Sequence, residues 1–147
     1  IAMRRVKDTQ TLDIFEVPAP VVPMPGSGNY AAQVSELVGL VLKDCPVDRY
    51  EVAAQMSRFS GDDVSKHMLD AWSSPARSDH NIPFYRIPLL EEVCQSHVFT
   101  DWIVHLRGGR VAYGREALAA EYGKLSRVQE RVNADLRKLK KLMGEEE

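Results

Sequence analysis

The sequence predicts an all-α protein: a small helical head followed by one long C-terminal helix. Three observations lead there. Apolar residues recur at three- and four-residue spacing in successive windows from residue 33 onward. Helix punctuation separates the windows, at Pro46, Gly61, Pro75 and the Gly108-Gly109 pair. From residue 118 on, the spacing settles into alternating fours and threes and holds for more than three heptads.

Composition bounds the function classes. The 147 residues, 44% of them apolar, suit one small domain, or one domain plus an appendage. No apolar run approaches the roughly 18 residues a membrane helix needs, so no membrane span is expected. Two cysteines, Cys45 and Cys94, are too few for a disulfide framework. No basic-then-apolar leader is visible, so a reducing, cytoplasmic setting is expected. The net charge of −2 excludes a uniformly basic nucleic-acid coat but leaves room for a local basic face.

Residues 1–29 read as a flexible, proline-rich N-terminal arm. Pro18, Pro20, Pro23 and Pro25 precede Gly26, Ser27 and Gly28, which favours extended backbone. Its charges cancel, Arg4, Arg5 and Lys7 against Asp8, Asp13 and Glu16. It reads either as a loose tail or as an arm that docks through Leu12, Ile14 and Phe15.

Residues 30–112 read as the head. A first helix over residues 33–44 turns Val34, Leu37, Val38, Val41 and Leu42 to one face, and Cys45-Pro46 ends it. Asp48 with Glu51 three residues later is a capping-box pattern that starts a second helix. Val52, Ala53, Met56 and Phe59 form its expected inner face, and Gly61 suits its end. Asp62 or Asp63 is the expected cap of a third helix running to about Trp72, with Val64, Met68, Leu69 and Trp72 inward. After a polar loop over residues 76–81, a helix is expected over residues 86–96 with Ile87, Leu90, Val93 and Cys94 inward. Thr100 or Asp101 is the expected cap of a fifth, carrying Trp102, Ile103 and Leu106. Trp72 and Trp102 are both expected in the core.

Residues 114–147 read as an oligomerising coiled-coil helix. Its register is Leu118, Tyr122, Leu125, Gln129, Val132, Leu136, Leu139 and Met143, alternating d and a. Gln129 is the polar core position that can fix register, and Asp135 can pair with Lys140 between parallel copies. Val128 and Leu142 widen the stripe, which leaves antiparallel and higher-order packing open.

Helix, glycine turn, helix over residues 49–72 is the arrangement of a helix-turn-helix DNA reader. In that arrangement the second of these helices presents Asp63, Ser65, Lys66, His67 and Asp70 outward. Ser65, Lys66 and His67 are then the candidate phosphate or base contacts, and Arg49 and Arg58 the backbone grips. The charge is balanced, Arg49, Arg58, Lys66 and Arg77 against Glu51, Asp62, Asp63 and Asp70, where a DNA reader usually carries excess positive charge. Ala53 to Gly61 also spans 8 positions, twice the spacing of the compact motif.

The stretch Tyr50-Glu51-Val52-Ala53-Ala54-Gln55-Met56-Ser57, then Gly61, then Val64-Ser65-Lys66-His67-Met68-Leu69-Asp70-Ala71-Trp72 resembles small proteins of temperate and Mu-like phages. Ile82-Pro83-Phe84-Tyr85-Arg86-Ile87-Pro88-Leu89-Leu90-Glu91 and residues 102–109 are similar to the phage regulatory protein CII family. The resemblance covers residues 33–110 and departs at Gln95-Ser96-His97, where the family tends to Thr-Gly. It implies a repressor-like helical fold, oligomers, and binding to double-stranded DNA as a transcriptional regulator in the cytoplasm of a bacterial host. Two alternatives stand beside it: a non-catalytic docking module for a phage replication or transposition partner, and a DNA-packaging recognition subunit.

Catalytic and cofactor chemistry finds no footing. Cys94 and His97 have a C-x-x-H spacing, but a structural zinc site needs four ligands, so no metal is expected. Cys94 reads instead as a buried free thiol near a surface histidine. Gly26-Ser27-Gly28 lacks the Lys-Ser/Thr pair of a phosphate loop. No paired carboxylates stand out, so neither enzyme activity nor a cofactor is expected.

Overall fold

The computed structural model describes residues 17–144. Among them are six α-helices and no strand: α1 Ala31–Lys43, α2 Arg49–Ser60, α3 Lys66–Trp72, α4 Ile87–Cys94, α5 Val98–Leu106 and α6 Arg115–Leu142. Single 3-10 turns, Pro75–Arg77 and Phe84–Arg86, lie between α3 and α4. The chain divides into two compact units, Ile1–Arg110 and Val111–Glu147. Leu12, Ile14 and Phe15, the expected docking residues of the arm, lie outside the described residues.

The first unit is built on one apolar core. α1 supplies Val38, Val41 and Leu42, α2 supplies Val52, Ala53 and Met56, and α3 supplies Leu69 and Trp72. Ile82, Ile87, Leu90, Cys94 and Phe99 close it from the other side. Burying each large side chain contributes about 1.5–3 kcal/mol, so this core is the main source of stability in the unit. Two polar contacts fix what apolar packing leaves loose. Ser35, fully buried in α1, accepts from Asn81 Nδ2 at 3.2 Å, and the same amide donates to Ala31 O at 2.9 Å. The polar loop after α3 is thereby pinned to the start of α1.

α2 follows its sequence signals. The Asp48 carboxylate accepts from the Glu51 N–H at 2.9 Å, and Gly61 ends the helix at φ 74°, which costs glycine little. Phe59, expected inward, is 65% exposed. It shares the stripe of Val52 and Met56, but Met56 is the last buried residue of α2, so the final turn carries Phe59 beyond the core.

α3 departs from expectation at its start. Neither Asp62 nor Asp63 caps it; Ser65 does, in extended conformation, accepting from the Met68 N–H at 3.1 Å. The cause is Ser57. Its hydroxyl sits between the carbonyls of Ala53 and Val64, at 2.8 and 2.9 Å, and accepts from the Val64 N–H at 2.9 Å. That clamp holds residues 62–64 out of helical geometry and buries Val64.

α4 is shorter than expected, because the Phe84–Arg86 turn precedes it and Gln95, at φ 53°, ends it in left-handed geometry. α5 begins at Val98, ahead of the expected Thr100 or Asp101 cap. Thr100 lies within the helix and donates from its hydroxyl to Glu91 Oε1 at 2.7 Å, which ties α4 to the first turn of α5. Trp102 is only partly buried and meets the Tyr30 ring edge-on at 5.5 Å between centroids.

Part of the proline-rich segment is held in place. Pro20 bridges Arg107 in antiparallel fashion, and the Val21 N–H donates to Leu106 O at 3.0 Å. Gly108 makes room for this, because a Cβ there would lie 2.4 Å from Pro20 N.

In the second unit, α6 runs for 28 residues, about 42 Å at 1.5 Å per residue. None of its residues is buried, and its apolar stripe lies open from Val132 at 49% to Tyr122 at 76% exposed over residues 118–139.

Candidate nucleic-acid interface

Arg49 is the first residue of α2 and Lys66 the first of α3. Both reach Asp70. Arg49 Nη1 lies 2.6 Å from Asp70 Oδ1, and Lys66 Nζ lies 2.8 Å from Asp70 Oδ2. Arg49 Nη1 also donates to Ser73 Oγ at 3.0 Å, and the Lys66 ammonium stands 5.5 Å from the centre of the Tyr50 ring. One carboxylate thus holds two cations from two helices, leaving one net positive charge at the surface. The side chains of Arg49, Asp70 and Lys66 are 36%, 35% and 39% exposed, so the cluster is open to a ligand.

The electrostatics follow from the contacts. The Lys66 ammonium and then the Arg49 guanidinium hold the Asp70 carboxyl below its ordinary value. Asp70, through its hydrogen bond and its charge, holds Lys66 above its own. Lys66 is therefore firmly charged at neutral pH.

The other candidate contacts divide. Ser65 lies next to Lys66 and accepts the Met68 N–H in capping α3, which leaves its hydroxyl proton and a second lone pair for another partner. His67 is exposed beside Lys66. Arg58 is not part of the cluster. It lies nine residues along α2, roughly 14 Å by helical rise, with its guanidinium 5.1 Å from the centre of the Phe59 ring. The structure thus groups Arg49 and Lys66, with Ser65 and His67 adjacent, and leaves Arg58 apart.

Ser73 and Tyr50 are the site residues that sequence reasoning missed; Asp70 was placed on the outward face but not as the group that joins the two cations. Lys66 and Asp70 are four apart on one helix, a readable ion-pair signal. The bond from Arg49 across 21 positions carries no such signal.

Beyond this cluster the head is acidic: the rest of residues 30–110 carries six Lys and Arg against ten Asp and Glu. Arg86 is drawn inward, its side chain 11% exposed, over the Trp72 ring and 3.9 Å from Asp62. A shallow depression of about 390 Å³ is lined by Pro88, Glu91, Glu92, Gln95, His97 and Thr100, but the Thr100 hydroxyl already occupies Glu91. Among the described residues no group of three or more His, Cys, Asp or Glu side chains is placed to hold a metal. Cys94 is a buried free thiol, as expected, and Cys45 a half-buried one.

No family model, curated protein or solved structure matches the chain.

Proposed function

We propose that the chain is a non-catalytic DNA-binding regulator of the phage type, working as an oligomer in the cytoplasm of a bacterial host. In this reading α2 and α3 act as the helix-turn-helix pair. The observation that carries it is the Asp70 clasp. It holds Arg49 and Lys66 side by side at the starts of two successive helices, so two phosphate-seeking groups are oriented before a ligand arrives. Such preorganisation lowers the entropy lost on binding. A single head with so small a net positive site would bind weakly, and association through α6 multiplies its grip on one DNA.

A second reading, a docking module for a phage protein, is favoured by one specific observation. Tyr50, Phe59, Phe84 and Tyr85 are all at least 65% exposed on an otherwise acidic head. Aromatic side chains of this kind anchor protein interfaces.

Fluorescence anisotropy with DNA fragments at two salt concentrations separates the readings. Regulator function predicts tight binding to one fragment that weakens with salt. Lys66→Gln then weakens binding to all fragments and lowers the salt slope by about one. Lys66→Glu is the poorer test, because it would set a second carboxylate beside Asp70. Absence of binding at low salt rejects the DNA reading in favour of the docking module.

A further inference from the structure

The Asp70 clasp is not the most basic surface of the chain. In the register that puts Leu118 at d and Tyr122 at a, the c and f positions of α6 from Lys124 onward are Lys124, Arg127, Arg131, Ala134, Lys138 and Lys141. Five of the six are cations and none is acidic. All five cations are exposed. They form one row along the helix, about 26 Å long at 1.5 Å per residue, on the side opposite the a and d stripe. The acidic residues of this stretch stand off the row. Glu130 is at b and Asp135 at g, and Glu121, at the preceding g, lies 3.9 Å from Lys124 Nζ. Glu145, Glu146 and Glu147 follow in the sequence, outside the described residues.

The ordinary needs of a helix do not account for the row. Cations near a helix C-terminus offset its dipole, but only within the last turn. Lys124, Arg127 and Arg131 lie about three turns or more before the end of α6. Solubility is served by charges of both signs, interspersed. Here Lys124 and Arg127, Arg127 and Arg131, and Lys138 and Lys141 set like charges three or four residues apart, which disfavours the helix. A polyanion laid along the row turns that repulsion into attraction.

We propose that the c and f face of α6 is a second DNA-contact surface, one that grips phosphates without reading sequence. The inference rests on the DNA reading of the chain, but not on the head as its reader. Duplex DNA presents a phosphate charge about every 1.7 Å of its axis, so a row of exposed cations meets several at once. Geometry separates this partner from an anionic membrane. An interfacial helix buries its apolar face in the bilayer, which would turn the c and f row away from the headgroups. A coiled coil does the opposite: a second copy covers a and d, and the c and f rows of both copies face outward. The head, acidic beyond its clasp, thereby gains a non-specific hold on DNA that its own surface lacks.

The test uses the full chain, a labelled short duplex of arbitrary sequence, and fluorescence anisotropy across a salt series. Expected is binding that weakens with salt. Combining Lys124→Gln, Arg131→Gln and Lys138→Gln should flatten the slope of log affinity against log salt by about 2.7 for every α6 on the DNA. Combining Lys124→Arg, Arg131→Lys and Lys138→Arg should keep the slope. These c positions lie outside the a and d seam and its e and g flanks, so sedimentation of both variants should match the wild type. An unchanged slope in the glutamine variant, no DNA binding at low salt, or sedimentation with phosphatidylserine vesicles in place of DNA binding overturns the proposal. Lys66→Gln in the same assay tests the head separately. Weakening by Lys66→Gln alone keeps the regulator reading and overturns the row; weakening by the glutamine variant alone keeps the row and rejects the head as reader.

Discussion

Asp70 shows how one side chain sets the character of a surface. Without it, Arg49 and Lys66 would be two mobile cations; with it, they are a fixed pair with reduced net charge. Its contribution to stability depends on pH, and the direction follows from the shifts. The Asp70 carboxyl is held low, so its ionic contribution is complete above the ordinary carboxylate value of about 4 and fades as pH falls through the lowered value. Lys66 is held high, so its share is complete below the ordinary lysine value and fades as pH rises through the raised one. Partial exposure keeps the effect modest. Urea midpoints of the wild type and Asp70→Asn should therefore differ most near neutrality and converge below about pH 4. A gap that persists unchanged into acid would mean that Asp70 acts through packing instead of charge.

At the scale of elements, the docked proline segment has a single point of control. Gly108 combines φ +78° with the closest approach of Pro20, so a methyl group there meets both backbone strain and collision. Gly108→Ala should release the segment from the end of α5. The measurement is limited proteolysis: cleavage within residues 17–28 should accelerate while the core of the first unit stays protected. Unaltered cleavage would show that the Pro20–Arg107 bridge does not restrain the segment. This contact also marks where sequence reasoning stops. The all-α fold, the apolar faces of α1, α2 and α4, the Asp48 cap and the Gly61 stop were legible, because each depends on spacing within a few residues. The Ser65 cap was not, because Ser57 decides it from seven positions away through Val64. The same holds at the site. Arg49 and Lys66 were readable as outward cations, but their meeting on Asp70 depends on how the helices cross.

At the scale of the whole molecule, the proposed oligomer rests on the open apolar stripe of α6. Burying Leu118, Leu125, Val132, Leu136 and Leu139 would contribute about 8–15 kcal/mol per helix at the usual worth of such side chains. Two helices together outweigh an association cost of about 4–15 kcal/mol. A second copy supplies the same stripe in the same heptad register. In the full chain, Leu125→Lys with Val132→Lys puts charges on two successive d positions. Sedimentation should then show a monomer where the wild type shows an oligomer, with the melt of the first unit unchanged. An intact oligomer would place the interface on the head.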